Sequence, residues 1–379
     1  MMFDLNDDSR KQKVIHVVNG LVFGGNENLC LQLIRHSPSN VENILWNLND
    51  RRLGMLPLFQ GIPNLKDIRH FYPFSRLKLL VTLTREFRRI RPDAILMYSF
   101  GVNHLIVGMA ARLAGIRSYH VRTGNPAPVH GGMRAKIRII LWGSLLLKIP
   151  IQACSDYVLK SFKKIAPLSK GSGFIPNGCD VLGISGRSKK SRQERIFDGK
   201  WIVGMVARLN KIKDHRTLIE AFHRVLSKIP DAQLWLIGDG EERAPLEEFV
   251  SGKGLNGKVL FFGDRQDVPE LLGQVDVYAF STTPDEGFGI ALIEAMAAGL
   301  PVVSTDVPSS REVLGQDEGG VLVPPRDPEA LADILERWLL SEDERNLWGR
   351  KAYQHVLAHF DIRNCASQWY GRLLGAPLK

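Results

Sequence analysis

Apolar residues along this chain fall into two kinds of run that alternate. Short blocks rich in Val, Ile and Leu stand at 13–18 (KVIHVV), 42–48, 66–71, 94–98, 117–121 and 151–154. Between them, apolar positions recur every three or four residues at 75–90, 102–114 and 134–148, and a further periodic stretch opens near Asn26. The first kind predicts strands buried on both faces and the second amphipathic helices. Their alternation predicts a parallel, doubly wound sheet. The pattern lapses over 183–200, where large apolar residues are few and charge, serine and glycine dominate, the composition of a linker. It restarts at 201–206 with strands at 232–237, 259–262, 275–280, from Val302 and at 320–323, and helices at 214–228, 243–250, 268–273, 328–340, 342–359 and 362–374. Two α/β domains joined near residue 190 are the expectation.

Composition narrows this picture. At 379 residues each half has room for its own core. No run of eighteen apolar residues exists, so no spanning helix is expected. The polar start, residues 1–13, lacks the apolar segment of a signal peptide. Cys30, Cys154, Cys179 and Cys365 show no ligand spacing and read as buried thiols of a reducing cytoplasm. The net charge of +10 calls for an anionic partner. No nucleic-acid module accompanies it, which leaves a phosphate-bearing substrate or an anionic membrane surface. The stretches 75–91 and 134–148 are basic and apolar together, the second with Trp142 among Ile and Leu. Such helices suit the membrane interface, although a core helix with a solvated basic end reads the same way.

Candidate chemistry centres on 275–306. A strand leads into a loop holding Glu286, Gly287, Phe288 and Gly289, and a helix from Ile290 carries Glu294. Eight residues of helix would separate the carboxylates by about 12 Å, so they do not share one proton and instead address different parts of an elongated ligand. The glycines let backbone amides approach a phosphate at the helix start. Arg208, Lys211 and Lys213 follow the strand 201–206, and Gly24 and Gly25 follow the strand 13–18, each at a strand's carboxyl end. His120 and Arg122 share one face of the strand 117–121 and its continuation, and His104 stands in SFGVNHL. No Asp-x-Asp pair or His/carboxylate ligand spacing points to a metal, and neither GxSxG nor GxxxxGK[ST] is present.

The run EGFGIALIE, with its trailing AMAAGLPVVSTD, resembles the donor-site signature of retaining sugar-nucleotide glycosyltransferases of the GT-B, family 4 type. The Gly24-Gly25-Asn26-Glu27 turn is similar to that family's Gly-Gly-x-Glu. The resemblance implies two Rossmann-like domains facing across a cleft. These are an acceptor domain at 1–182, the linker 183–200, a nucleotide-sugar domain at 201–360, and a final helix within 361–379 crossing back to the first. It assigns Arg208 and Lys213 to the donor diphosphate, with Lys211 a competing candidate and Asp214 standing where relatives commonly have glycine. The backbone of Gly287, Phe288, Gly289 and Ile290, and Gly25, would join them. Glu286 would meet the transferred sugar and Glu294 the ribose hydroxyls. On the acceptor side it implies Gly24 and a catalytic histidine. His120 is near the matching position, Arg122 occupies it, and His104 is a third candidate. The implied partners are a nucleotide-diphosphate sugar and a glycan or lipid-linked acceptor of cell-surface polysaccharide or glycolipid synthesis. No metal cofactor and no nucleic acid are expected, and the location would be cytoplasmic or peripheral on the cytoplasmic membrane face. A sugar-nucleotide epimerase, a phosphorylase or a silent nucleotide-binding partner would share the scaffold.

Overall fold

A computed structural model describes residues 11–22, 24–49, 53–71, 75–195, 199–316 and 318–375. The polar start read against a signal peptide lies, over 1–10, outside the described residues. The chain divides into two compact units, Met1–Ile175 with Cys365–Lys379, and Pro176–Asn364.

The first unit runs β1 (Gln12–Val18), α1 (Gly25–Arg35), β2 (Val41–Asn47), α2 (Leu56–Phe59), β3 (Leu65–His70), α3 (Arg76–Ile90), β4 (Ala94–Met97), α4 (Val102–Leu113), β5 (Ser118–Thr123), α5 (Gly132–Leu146), β6 (Ile151–Ala153), α6 (Asp156–Lys163) and β7 (Gly173–Phe174). Its strands form one parallel sheet in the order β3-β2-β1-β4-β5-β6-β7. Apolar blocks form its central strands because both faces are covered: Val14, Ile15 and Val17 of β1 are fully buried. Trp46 stacks on Phe87 at 4.7 Å between ring centroids, fixing α3 on β2.

The second unit continues with α7 (Val181–Glu194), β8 (Ile202–Val206), α8 (His215–Val225), β9 (Gln233–Ile237), α9 (Arg243–Gly252), β10 (Val259–Gly263), α10 (Val268–Gln274), β11 (Val277–Phe280), α11 (Ile290–Ala297), β12 (Val302–Thr305), α12 (Pro308–Leu314), β13 (Val321–Val323), α13 (Pro328–Leu340) and α14 (Glu342–His359). Its sheet is also parallel, in the order β10-β9-β8-β11-β12-β13. In each sheet the strand order reverses next to its first strand, between β1 and β4 and between β8 and β11. Loops leaving the carboxyl ends of such a pair diverge and open a crevice.

The final helix, α15 (Ile362–Leu374), starts in the second unit and joins the first from Cys365 onward. Its Tyr370 hydroxyl lies 2.8 Å from Asn43 Oδ1 and 3.1 Å from the Leu33 carbonyl, with its one proton available to either acceptor, and Ser118 Oγ donates to the Leu373 carbonyl at 2.6 Å.

The expected linker is the main correction. Most of 183–200 is α7, capped where Asp180 Oδ1 accepts the Gly183 amide at 3.0 Å. Serines do the docking that large apolar residues do elsewhere. Ser188 Oγ donates to the Pro269 carbonyl at 2.7 Å and Ser191 Oγ to the Glu270 carbonyl at 2.8 Å. A Cβ on Gly273 would stand 2.4 Å from the Ser188 carbonyl oxygen, so the two backbones approach as only glycine allows. The polar composition signals a close helix-to-helix seam and not a tether.

Candidate active site

The reversal point of the second sheet gathers the charged groups. The segment after β8 and the segment after β11 are stitched together. Thr283 N–H and Thr282 Oγ1 donate to the Ile212 carbonyl at 2.9 and 3.0 Å, and Ser281 Oγ donates to the Asp214 carbonyl at 2.7 Å. That seam carries Lys213 onto Glu286: Lys213 Nζ forms an ion pair with Glu286 Oε2, and both side chains are largely buried, 15% and 13% exposed. The ammonium also lies 4.3 Å from the centre of the Phe280 ring, a cation–π contact at the end of β11. Burial alone would raise the Glu286 carboxyl. The Lys213 charge and hydrogen bond outweigh it, helped by the Phe288 amide at 3.1 Å and the Gly287 amide, and hold it below the usual carboxylate value.

Gly289 caps α11 without any side-chain bond, in the left-handed region at φ 90°. A side chain there would also press on the Phe280 ring, 3.1 Å away. No side chain caps the start of α11, where the dipole favours an anion, and the Leu292 amide already donates to the Gly289 carbonyl at 3.0 Å. Phe288 is anchored by its ring, buried and edge-on to Phe360 at 5.7 Å. Its backbone is thereby fixed beside Glu286.

Glu294 lies in the second turn of α11 and keeps part of its surface exposed. Burial pushes its carboxyl up to about 7, partly offset by Arg187 of α7. Arg187 is a contributor the sequence reading missed, hidden in the stretch taken for linker. Arg208 is exposed just beyond β8, and Lys211 is exposed too. Neither is drawn to Glu286, so among the three basic candidates the geometry selects Lys213 as its partner. The turn after β9 closes the crevice, with Leu209 N–H donating to the Asp239 carbonyl at 3.0 Å. A Cβ on Gly240 would sit 2.2 Å from the Leu209 carbonyl oxygen.

In the first unit Arg122 comes to the Gly24-Gly25 turn. Its guanidinium donates to Asn26 Oδ1, and Gly24 is the bare N-cap of α1 with Gly25 its first residue. The two histidine candidates do not join them. His104 is fully buried; its Nδ1 accepts the Gly101 amide at 3.0 Å and its Nε2 pairs with Ser144 Oγ at 2.8 Å. Burial lowers it to about 3, and with both ring nitrogens engaged it serves as a cap of α4. His120, taken as catalytic, lies mid-strand in β5, 7% exposed, with Nδ1 3.2 Å from Gln152 Nε2. Burial, then Arg372 and Arg112, lower it to about 4. Strand alternation gives it the same face as Arg122, but two residues deeper, away from the carboxyl end of β5. Asn26, the variable letter of the glycine turn, is the partner the sequence reading did not foresee.

Residues 186–355 match the family described as glycosyl transferases group 1. The chain is 27% identical over 277 residues to an exopolysaccharide phosphotransferase of Streptomyces coelicolor, covering 72% of this chain and 28% of that protein. It is 30% identical over 175 residues to the lipopolysaccharide core biosynthesis glycosyltransferase LpsE of Rhizobium meliloti, covering 46% of this chain and 50% of that one. The chain thus spans half or less of the length of these curated relatives. Among solved structures it is similar to Anabaena HepE in complex with UDP and glucose, with a TM-score of 0.82 at 20% identity, covering 96% of this chain and all of that one. The fold is therefore GT-B, two Rossmann-like α/β units. No helix among the described residues is long and apolar enough to cross a membrane.

Proposed function

We propose that this chain is a retaining glycosyltransferase of the family 4 type. It would move a sugar from a nucleotide-diphosphate donor, bound by the second unit, to a glycan or lipid-linked acceptor taken by the first. The observation that carries this reading is the Lys213–Glu286 couple, held by two separate loops at the reversal point of a nucleotide-binding type of sheet, beside a bare helix start. The glycosyl transferases group 1 match over the same unit and the UDP held by the Anabaena neighbour support it.

In the free protein Lys213 neutralises Glu286. An arriving diphosphate, with more negative charge, competes for the ammonium. Lys213 and Arg208 then grip the phosphates together with the amides of residues 287–290, and Glu286 is released to face the positive charge that grows on the sugar. Glu294 accepts from both ribose hydroxyls. The bond between the anomeric carbon and the phosphate oxygen breaks, the acceptor oxygen bonds to that carbon on the same face, and its proton passes to the departing diphosphate. Fixed cations and amides neutralise the leaving group, so this step needs no metal. Arg122, positioned by Asn26 beside Gly24 and Gly25, is the acceptor-side candidate that replaces the two histidines.

We also propose that α5 rests on an anionic membrane face. Ile139, Trp142 and Leu146 follow one another along one side of that helix at 72%, 52% and 83% exposure, with Arg134, Lys136 and Arg138 nearby. The test of the main reading is a panel of sugar nucleotides screened by thermal shift, then transfer assayed with the one that stabilises most. Glu286→Ala should abolish transfer with nucleotide binding retained. Turnover of donor alone by the wild type, or full transfer by the variant, would refute it.

A further inference from the structure

Three ligand-bearing side chains with no part in the donor site meet elsewhere on the second unit. His355 and His359 lie four residues apart on α14, so their rings leave one face of the helix, with centroids 4.7 Å apart. Glu318, between α12 and β13, brings Oε2 to 3.3 Å from His355 Nδ1. One donor atom from each of the three lies within 4.8 Å of the other two.

Two features separate this group from a chance surface contact. First, His355 Nε2 is 3.0 Å from the Val313 carbonyl. A carbonyl only accepts, so that bond assigns the ring proton to Nε2 and turns the Nδ1 lone pair toward Glu318. Orientation of an imidazole by a backbone carbonyl is how metal-ligating histidines are held. In the neutral ring Nδ1 and the carboxylate oxygen are then two acceptors 3.3 Å apart, a pair that either a proton on Nδ1 or a metal cation between them would reconcile. Second, the loop is shaped to the ring. A Cβ on Gly319 would stand 3.0 Å from His355 Cδ2, and one on Gly315 3.4 Å from Cε1.

We propose that Glu318, His355 and His359 form a binding site for a first-row divalent cation of the zinc class, with a remaining position for water. Two imidazoles and one carboxylate suit Zn²⁺ or Co²⁺, whereas Mg²⁺ prefers all-oxygen surroundings. Metal–ligand bonds of about 2.0–2.2 Å at tetrahedral angles set the donor atoms roughly 3.3 Å apart. Glu318, 64% exposed, and the exposed His359 have the room to swing inward and close that gap. The ion would tie Glu318, ahead of β13, to α14 as a structural clasp. Phe360 extends the connection, its ring 5.9 Å from His355 and 5.7 Å from Phe288 of the donor loop. The site stands independently of the glycosyltransferase reading, because none of its ligands is assigned a part in transfer.

The experiment titrates Zn²⁺ into the tag-free full chain by calorimetry, with Mg²⁺ as control and Co²⁺ absorption as a reporter of nitrogen ligation. Saturable binding of one Zn²⁺, visible-band absorption with Co²⁺ and no response to Mg²⁺ are expected. His359→Ala and Glu318→Ala, both at exposed positions that leave the fold intact, should each weaken Zn²⁺ by at least about 10-fold. Absence of saturable Zn²⁺ binding, or wild-type affinity in either variant, would overturn the proposal.

Discussion

Replacing Lys213 by methionine tests the central couple, because the thioether keeps an apolar stem on the Phe280 ring and removes only the charge. Both partners are nearly buried. Removing one member of a buried pair costs about 3–5 kcal/mol, since it strands the other charge. The Phe288 and Gly287 amides still solvate the carboxylate, so a loss of roughly 2–3 kcal/mol is expected here. Linkage gives the loss a pH signature. In the wild type the Glu286 value is lowered, so its stabilisation is present above the unfolded value and fades as pH falls through the folded one. In Lys213→Met only the Phe288 and Gly287 amides oppose burial, so the value rises relative to the wild type and the stabilisation that the wild type holds at high pH is lost. The difference between the two proteins should therefore be full at about pH 8 and shrink toward about pH 4. Urea unfolding of the full chain at several pH values measures it, with hydrogen exchange over 281–297 locating it. Adding Glu286→Gln to Lys213→Met should restore most of the loss, with a coupling of about 1–3 kcal/mol. A pH-independent loss, or additivity within about 0.5 kcal/mol, would refute the reasoning.

Glu294→Gln should be more stable than wild type at pH 8 by about 1–2 kcal/mol, the full shift being discounted for the exposed part of the side chain. Its raised value, about 7, means stability is present below the unfolded value and lost as pH rises through 7, so melting temperatures should converge near pH 4. The same variant should bind nucleotide about 10-fold more weakly by calorimetry if the carboxylate holds the ribose. His104→Ala loses the α4 cap and the Ser144 partner, and should cost about 2–4 kcal/mol in unfolding experiments while nucleotide affinity stays at the wild-type value. Gly240→Ala drives a methyl against the Leu209 carbonyl, a backbone atom that yields only if the loop after β8 moves. A loss of about 1–3 kcal/mol in stability should accompany weakened nucleotide binding.

Much of this was legible because parallel strands buried on both faces declare themselves. KVIHVV reads as a central strand and occupies that place in the sheet as β1. The glycine-bounded loop before Ile290 likewise announced a bare helix start, which the left-handed Gly289 supplies. What failed to show were interactions between residues far apart in sequence. Periodicity has no means of registering that Ser188 and Ser191 dock on the carbonyls of Pro269 and Glu270, so α7 passed for a tether. The histidines misled for a related reason. A sequence places His104 and His120 near the acceptor loops, but only packing shows that Ser144 and Gln152 already hold them. The short α2 and α12 went unassigned, each being less than two turns long and so lacking a full apolar period.

Glu286 and Glu294 give the candidate site its electrical logic. They stand eight residues apart in one loop and helix, yet their surroundings push them in opposite directions: Lys213 holds Glu286 low, and burial raises Glu294 to about 7. On the proposed reading Glu286 faces developing positive charge, a role that calls for the ionised form, and its ion pair with Lys213 favours that form. On the same reading Glu294 accepts two hydroxyls, for which a position partly enclosed by protein matters more than a fixed charge. An ordinary surface loop provides no reason for such a split, because exposed carboxylates sit near one common value. Divergent tuning of paired titratable groups is a mark of assigned chemical roles. Here it arises from the second unit alone, through the Thr282–Ile212 and Ser281–Asp214 seams that bring Lys213 to Glu286.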